Sequence, residues 1–203
     1  MDLDPKDLID RAAEAAQARK EASAARLNAA VAVTVAVLAT FMGICKVKDD
    51  NIVQAMQQAQ ADKLDHWAYY QSRTLRADVA EATAVQLELA RAGVAPAQAP
   101  AYEQAIASYR AKATDQVKKR DELKAQAEAD QKAYDALNYR DDQFDLSDAL
   151  LAIAIALLAV TALTRLWPLY FVALVPTFFG VVMGIAGLAA LPLHPDALVK
   201  LLS

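Results

Sequence analysis

The chain alternates between two kinds of stretch. Leu27 to Cys45, Ala149 to Thr164 and Leu166 to Leu193 are apolar and carry no charge, and the residues before and between them are polar. A bilayer core takes about 20 helical residues to cross, so each apolar run is a transmembrane candidate. Only Arg165 separates the second run from the third, which predicts two antiparallel spans joined by a tight connection. The polar section 46–147 has no strand-like alternation and one strong breaker, Gly93 to Pro100, at its centre. Lys46 to Ala92 and Ala101 to Ser147 are arms of 47 residues each. Equal arms about one turn describe an antiparallel helical hairpin that returns to its starting level. Asp49-Asp50-Asn51 is the expected interruption near the base of the first arm.

Apolar spacing predicts where the arms meet. In the first arm Leu64, Ala68, Leu75, Val79, Ala82, Val85 and Leu89 recur at intervals of three, four and seven, and they mark the expected seam. In the second, Ile106, Tyr109, Ala113, Leu123, Ala127, Tyr134, Leu137 and Phe144 hold one heptad register. Gln116, Arg120, Asp130 and Asp141 fall in that register too. A two-helix seam with so many polar members is marginal alone, so self-association is expected. Symmetric pairing about Pro96 and Ala97 sets residue i opposite residue 193 − i, which puts Met56 beside Leu137 and Tyr70 beside Leu123.

The ends complete the layout. Residues 1–26 form a polar, alanine-rich helix with Asp4 as N-cap and Pro5 in its first turn. No Gly or Pro occurs from Lys6 to Met42, so this helix should run straight into the first span, 27–45. Spans follow at 148–164 and 166–193, the last with Pro176 as a kink site and with Trp167 and Tyr170 at a membrane surface. Residues 194–203, beginning His194-Pro195, read as a short interfacial tail. The expected fold is an all-α membrane protein with three transmembrane helices and a long extramembrane antiparallel helical hairpin.

Composition narrows the chemistry. The 203 residues carry 21 basic and 25 acidic side chains, a net charge of −4, which gives no basic face for nucleic acid. The single cysteine, Cys45, excludes an intramolecular disulfide and a multi-cysteine metal site. Two histidines and five glycines leave little for a His metal centre or a phosphate loop. The polar stretch before the first span is too long for a cleaved leader and lacks Ala-x-Ala beyond it. Gly43-Ile44-Cys45 puts isoleucine where a lipidation site wants a small residue, so Cys45 reads as a thiol near the membrane surface. Lys6, Arg11, Arg19, Lys20, Arg26 and Arg165 share one side of three spans, which predicts a cytoplasmic N-terminus with the hairpin and C-terminus outside. Section 46–147 holds 14 basic and 17 acidic residues, so anionic headgroups would repel a hairpin lying flat.

Three constellations stand out. Asp65-His66-Trp67-Ala68-Tyr69-Tyr70-Gln71-Ser72-Arg73-Thr74-Leu75-Arg76 offers Trp67, Tyr70, Arg73 and Arg76 as seam or partner contacts, with the arginines expected on carboxylates of the other arm. Asp49, Asp50, Asp141, Asp142, Asp145 and Asp148 gather where the arms meet the membrane. Lys46, Lys48 and Arg140 are expected to neutralise them and Asp145 to cap the second span; in an oligomer they could instead ring a pore. Gly180-x-x-x-Gly184 with Gly187, and Ala152-x-x-x-Ala156, allow close helix approach. Asp62 and His66 share a helix face, but two ligands rarely hold a metal, and a solvated pair is expected. No Ser/His/Asp order, P-loop or Rossmann fingerprint occurs. No catalytic, cofactor-binding or metal-binding residue is therefore expected.

The Trp67 to Arg76 string, together with Phe144-Asp145-Leu146-Ser147-Asp148-Ala149-Leu150 leading into the second span, resembles the domain of unknown function 4337 family of small bacterial membrane proteins, over roughly residues 20 to 165. That resemblance implies the bacterial inner membrane and supplies no reaction. The expected function is a non-enzymatic homo-oligomer whose hairpin serves scaffolding or binding of another membrane protein; the alternative is a channel or transport component using Asp141, Asp145 and Asp148.

Overall fold

The computed structural model describes residues 5–193, with side chains from Leu8 onward. Three helices account for nearly all of them: α1, Pro5–Arg91; α2, Ala99–Thr164; and α3, Trp167–Ala189. No strand occurs among the described residues. All three are long enough, and apolar enough over part of their length, to cross a membrane. The Asp4 cap and the tail from His194 lie outside the described residues.

The ends of the helices have local causes. α1 stops before Gly93, and the turn is closed by Gly93 N–H to Ala90 O at 3.1 Å and Gln98 N–H to Ala95 O at 2.9 Å. Pro100 falls in the first turn of α2, where a missing N–H costs no helical bond. α2 ends at Arg165, whose φ of 55° is left-handed and whose N–H closes on Thr161 O at 2.8 Å. Pro176 sits inside α3 without ending it.

Two expectations fail here. α1 continues through Asp49-Asp50-Asn51 because Lys46, one turn earlier, bridges both carboxylates and removes their mutual repulsion. Asp145 caps nothing, since α2 is continuous through it.

The contacts divide the chain into two compact units, one of residues up to Ile52 and from Tyr139 on, the other Val53–Asn138. In the first unit, Leu27, Val31 and Leu38 of α1 pack with Leu151, Ala154 and Leu158 of α2 and Ala173 of α3. Lipid tails are as apolar as these side chains, so close fit rather than the hydrophobic effect must hold such a core within a bilayer. The glycines make that fit. A Cβ on Gly180 would stand 2.8 Å from Leu151, one on Gly184 2.6 Å from Phe41, and one on Gly187 2.9 Å from Phe144. These three glycines seat α3 against its own chain, whereas Ala152 and Ala156 face outward. Tyr170 hydroxyl meets Thr34 Oγ1 at 3.0 Å, and Trp167 Nε1 donates to Ser23 Oγ at 3.1 Å.

The second unit is built on heptad spacing along both arms. From α2, Ile106, Ala113 and Ala127 are buried, with Tyr109, Gln116, Arg120, Leu123, Asp130, Tyr134 and Leu137 half-buried in the same register. The second arm therefore uses the expected face. The first does not. Its inward positions are Met56, Ala59, Lys63, His66, Tyr70, Arg73, Ala77, Ala80, Ala84 and Leu87, alternating by four and three. Leu64, Leu75, Val79 and Leu89, expected in the seam, are 59%, 65%, 58% and 73% exposed. Alanine forms the tip-side half of the first arm's seam because small side chains let two helices approach; the bulkier apolar residues are left on the opposite side.

Candidate functional site

Two features of the structure go beyond packing, one in each unit. In the first unit α1 supplies Lys46, Asp49 and Asp50, and α2 supplies Asp141, Asp142, Asp145 and Asp148. Asp49 keeps the phase of the buried residues Leu38, Cys45 and Ile52, so the helix itself turns it inward, and it is 4% exposed. Lys46 Nζ stands 2.8 Å from Asp49 Oδ2 and 3.3 Å from Asp50 Oδ1. These bonds hold the Lys46 ammonium well above its usual range. Asp49 Oδ1 is buried and accepts no hydrogen bond. The carboxyl beside Asp49 is that of Asp141, which can donate to it only when protonated. Loss of solvent, then the contact with Asp49, then the charges of Asp145, Asp49 and Asp142 push Asp141 up to about 6. Asp145 is pushed up as well, first by loss of solvent and then by Asp49 and Asp142, with Lys46 opposing.

Arg140 does not serve this cluster. Its Nη2 and Nε donate to Gly187 O at 2.9 and 3.3 Å. One turn on, Gln143 Nε2 donates to Leu191 O at 2.9 Å and Leu193 O at 2.6 Å, and Ser147 Oγ donates to Gly180 O at 2.8 Å. A helix end leaves carbonyls without intrahelical partners. Arg140 and Gln143 therefore satisfy the end of α3 and the turn beyond it, and no apolar pattern announces that. Their shared face on α2, at spacings of three and four with Ser147, was the available signal. Among the described residues no group of three or more His, Cys, Asp or Glu is arranged to hold a metal ion.

In the second unit the aromatic and arginine string is divided between two faces. Tyr70 and Arg73 enter the seam: Arg120 lies over the Tyr70 ring at 5.9 Å, and Arg73 Nη1 donates to Gln116 Oε1 at 2.9 Å. The Arg73 partner is thus a neutral amide, where a carboxylate was expected. Trp67 stacks edge-on against Tyr70 at 5.2 Å but stays 36% exposed, and Arg76 lies on the outer surface. His66 is not paired with Asp62. Its Nδ1 is 2.6 Å from Asp130 Oδ2 across the seam, while Asp62 accepts from Gln58. Lys63 donates to Gln131 at 2.9 Å, and Arg91–Glu103 and Arg110–Glu88 ion pairs join the arms near the turn. His66 meets Asp130 where 193 − i gives Ala127, a slip of less than one turn. Along one edge of the seam, Leu75, Arg76 and Val79 of the first arm and Tyr109, Lys112 and Gln116 of the second line an open groove that reaches in to Ala80.

No curated protein and no solved structure matches the chain. The model of the domain of unknown function 4337 matches residues 27–190, from the first buried leucine of α1 to the residue that closes α3. The chain belongs to that family.

Proposed function

We propose that this protein is a non-enzymatic integral membrane protein of the bacterial inner membrane, a homo-oligomer whose hairpin provides a scaffold. In this reading the spans are 27–45, 148–164 and 166–193, the N-terminus is cytoplasmic, and residues 46–147 stand outside. One observation carries the self-association: Leu64, Leu75, Val79 and Leu89 keep heptad spacing on the side of α1 opposite its seam, and they are left in solvent. Burying a large apolar side chain is worth about 1.5–3 kcal/mol when complete, so four on one stripe strongly favour an apolar cover. A second copy is the cover argued for, because every copy presents the identical stripe and like chains associate through such shared patches. The glycines do not support assembly, being engaged within one chain.

Native mass spectrometry of the full chain released from lipid nanodiscs tests this. The wild type is expected as a multimer, and Leu75→Lys with Val79→Lys as a monomer of unchanged helix content. A monomeric wild type overturns the proposal.

A further inference from the structure

We propose that Asp49 and Asp141 bind one proton between them and so form an acid-operated clamp joining α1 to α2. The geometry requires a neutralising group there. Asp49 is 4% exposed, its Oδ2 is taken by Lys46, and its Oδ1 is buried with no donor. A buried acceptor without a donor carries the full cost of desolvation. The side chain within hydrogen-bonding reach is Asp141, also a carboxyl. Two ionised carboxylates in contact repel and neither can donate. A proton taken from water onto Asp141 reduces the charge of the pair from −2 to −1 and creates an O–H donor beside Asp49, whose Oδ1 lacks one.

The surrounding charges sharpen this. Facing the pair from α1 are Cys45, Lys46 and Asp50, and from α2 Asp142, Asp145 and Asp148. α3 carries no charged residue along Trp167–Ala189 and meets α2 through backbone carbonyls. Arg140, the remaining cation of this part of α2, is held by Gly187 O. Lys46 is the cation seen on these carboxylates, bonded to Asp49 and Asp50, and no ion pair of Lys48 with the cluster occurs among the described residues. A metal ion is the other way to neutralise such a pair, but no three-ligand group exists among the described residues, and Lys46 already occupies one oxygen of Asp49.

The sign follows from the direction of the shift. Asp141 moves up, from 3.8 to about 6, so the folded chain holds a proton that the unfolded chain releases. The clamp is then complete below the unfolded value and is lost as pH rises through about 6.

Infrared difference spectra of the full chain in nanodiscs, taken between about pH 5 and 8, read the protonated carboxyl directly. The wild type should show a carboxyl stretch titrating near the Asp141 value; Asp141→Asn should remove it. Asp49→Asn should lower the Asp141 midpoint, since an amide can donate to the ionised form, while loss of solvent and the charges of Asp145 and Asp142 still hold it above the ordinary carboxylate range. Thermal stability should fall with rising pH in the wild type and fall less steeply in Asp141→Asn, where Asp145 is still pushed up. Should Asp141→Asn not fold, Asp141→Glu keeps a titrating group and should move its midpoint. The proposal is overturned by any of four results: no carboxyl titrating above the ordinary range, a band near the Asp141 value that survives Asp141→Asn combined with Asp145→Asn, a midpoint unmoved in Asp141→Glu, or a band displaced by sodium or calcium at fixed pH, which would make the ligand a cation.

Discussion

Gly180 and Gly43 occupy apolar helices in opposite surroundings, and alanine separates them. A Cβ at 180 would meet Leu151, which is fully buried and has nowhere to go; at 43 nothing lies within 4 Å. Gly180→Ala should therefore cost about 1–3 kcal/mol through overpacking. Gly43→Ala should be neutral or stabilising by up to about 1 kcal/mol, since alanine is the better helix former. Unfolding in mixed detergent micelles measures both, and equal effects would mean that α3 does not seat on Leu151. At this scale the sequence is legible in residue type more than in partner. Its glycine spacing shows that some helix comes close, not which one. Arg140 reads as a cation for the acidic cluster until the structure reveals the carbonyl it serves. Asp49 was legible as a member of the cluster; its burial was not, because an acidic side chain does not register in an apolar pattern even when it keeps the phase of one.

At the scale of the element, the second arm was readable and the first was misleading. Ile106, Ala113, Leu123 and Leu137 are both the most apolar members of their helix face and the ones that meet the neighbour, so hydrophobicity locates them. In α1 the two properties fall on different sides: Ala77, Ala80 and Ala84 meet the neighbour, while Leu75 and Val79 are bulkier and face out. A search for large apolar residues must choose the wrong face of such a helix. Two expectations follow. Ala80→Leu should force the arms apart and destabilise the pairing by about 1–3 kcal/mol, seen as lower thermal stability with helix content retained. Cysteines replacing Met56 and Leu137 should crosslink within one chain; failure to do so at any slip of up to one turn would refute the antiparallel register that His66–Asp130 and Lys63–Gln131 define.

For the whole molecule, Arg165 separates orientation from stability. Its φ of 55° costs a non-glycine residue about 1–2 kcal/mol, while its charge lies on the side expected to be cytoplasmic. Arg165→Gly should thus hold or raise stability and weaken the orientation bias. Labelling from outside intact cells reads that bias: a cysteine replacing Ala97, with Cys45 removed, should react in the otherwise native chain, and a label seen only in permeabilised cells inverts the topology. The first arm has its own consequence at this scale. With alanines on one side and Leu64, Leu75, Val79 and Leu89 on the other, it is bivalent, and a bivalent rod decides how an assembly ends. Stripe against identical stripe about a two-fold closes at two chains; stripe against another face of the neighbour leaves a free stripe at the end, and the array goes on adding chains until a ring shuts it. Asp78 lies in the outward stripe between Leu75 and Ala82 and would meet its own copy in the two-fold arrangement, where like charges repel. The expected outcome is a ladder of masses that climbs with protein concentration, and a lone dimer peak would place stripe on stripe.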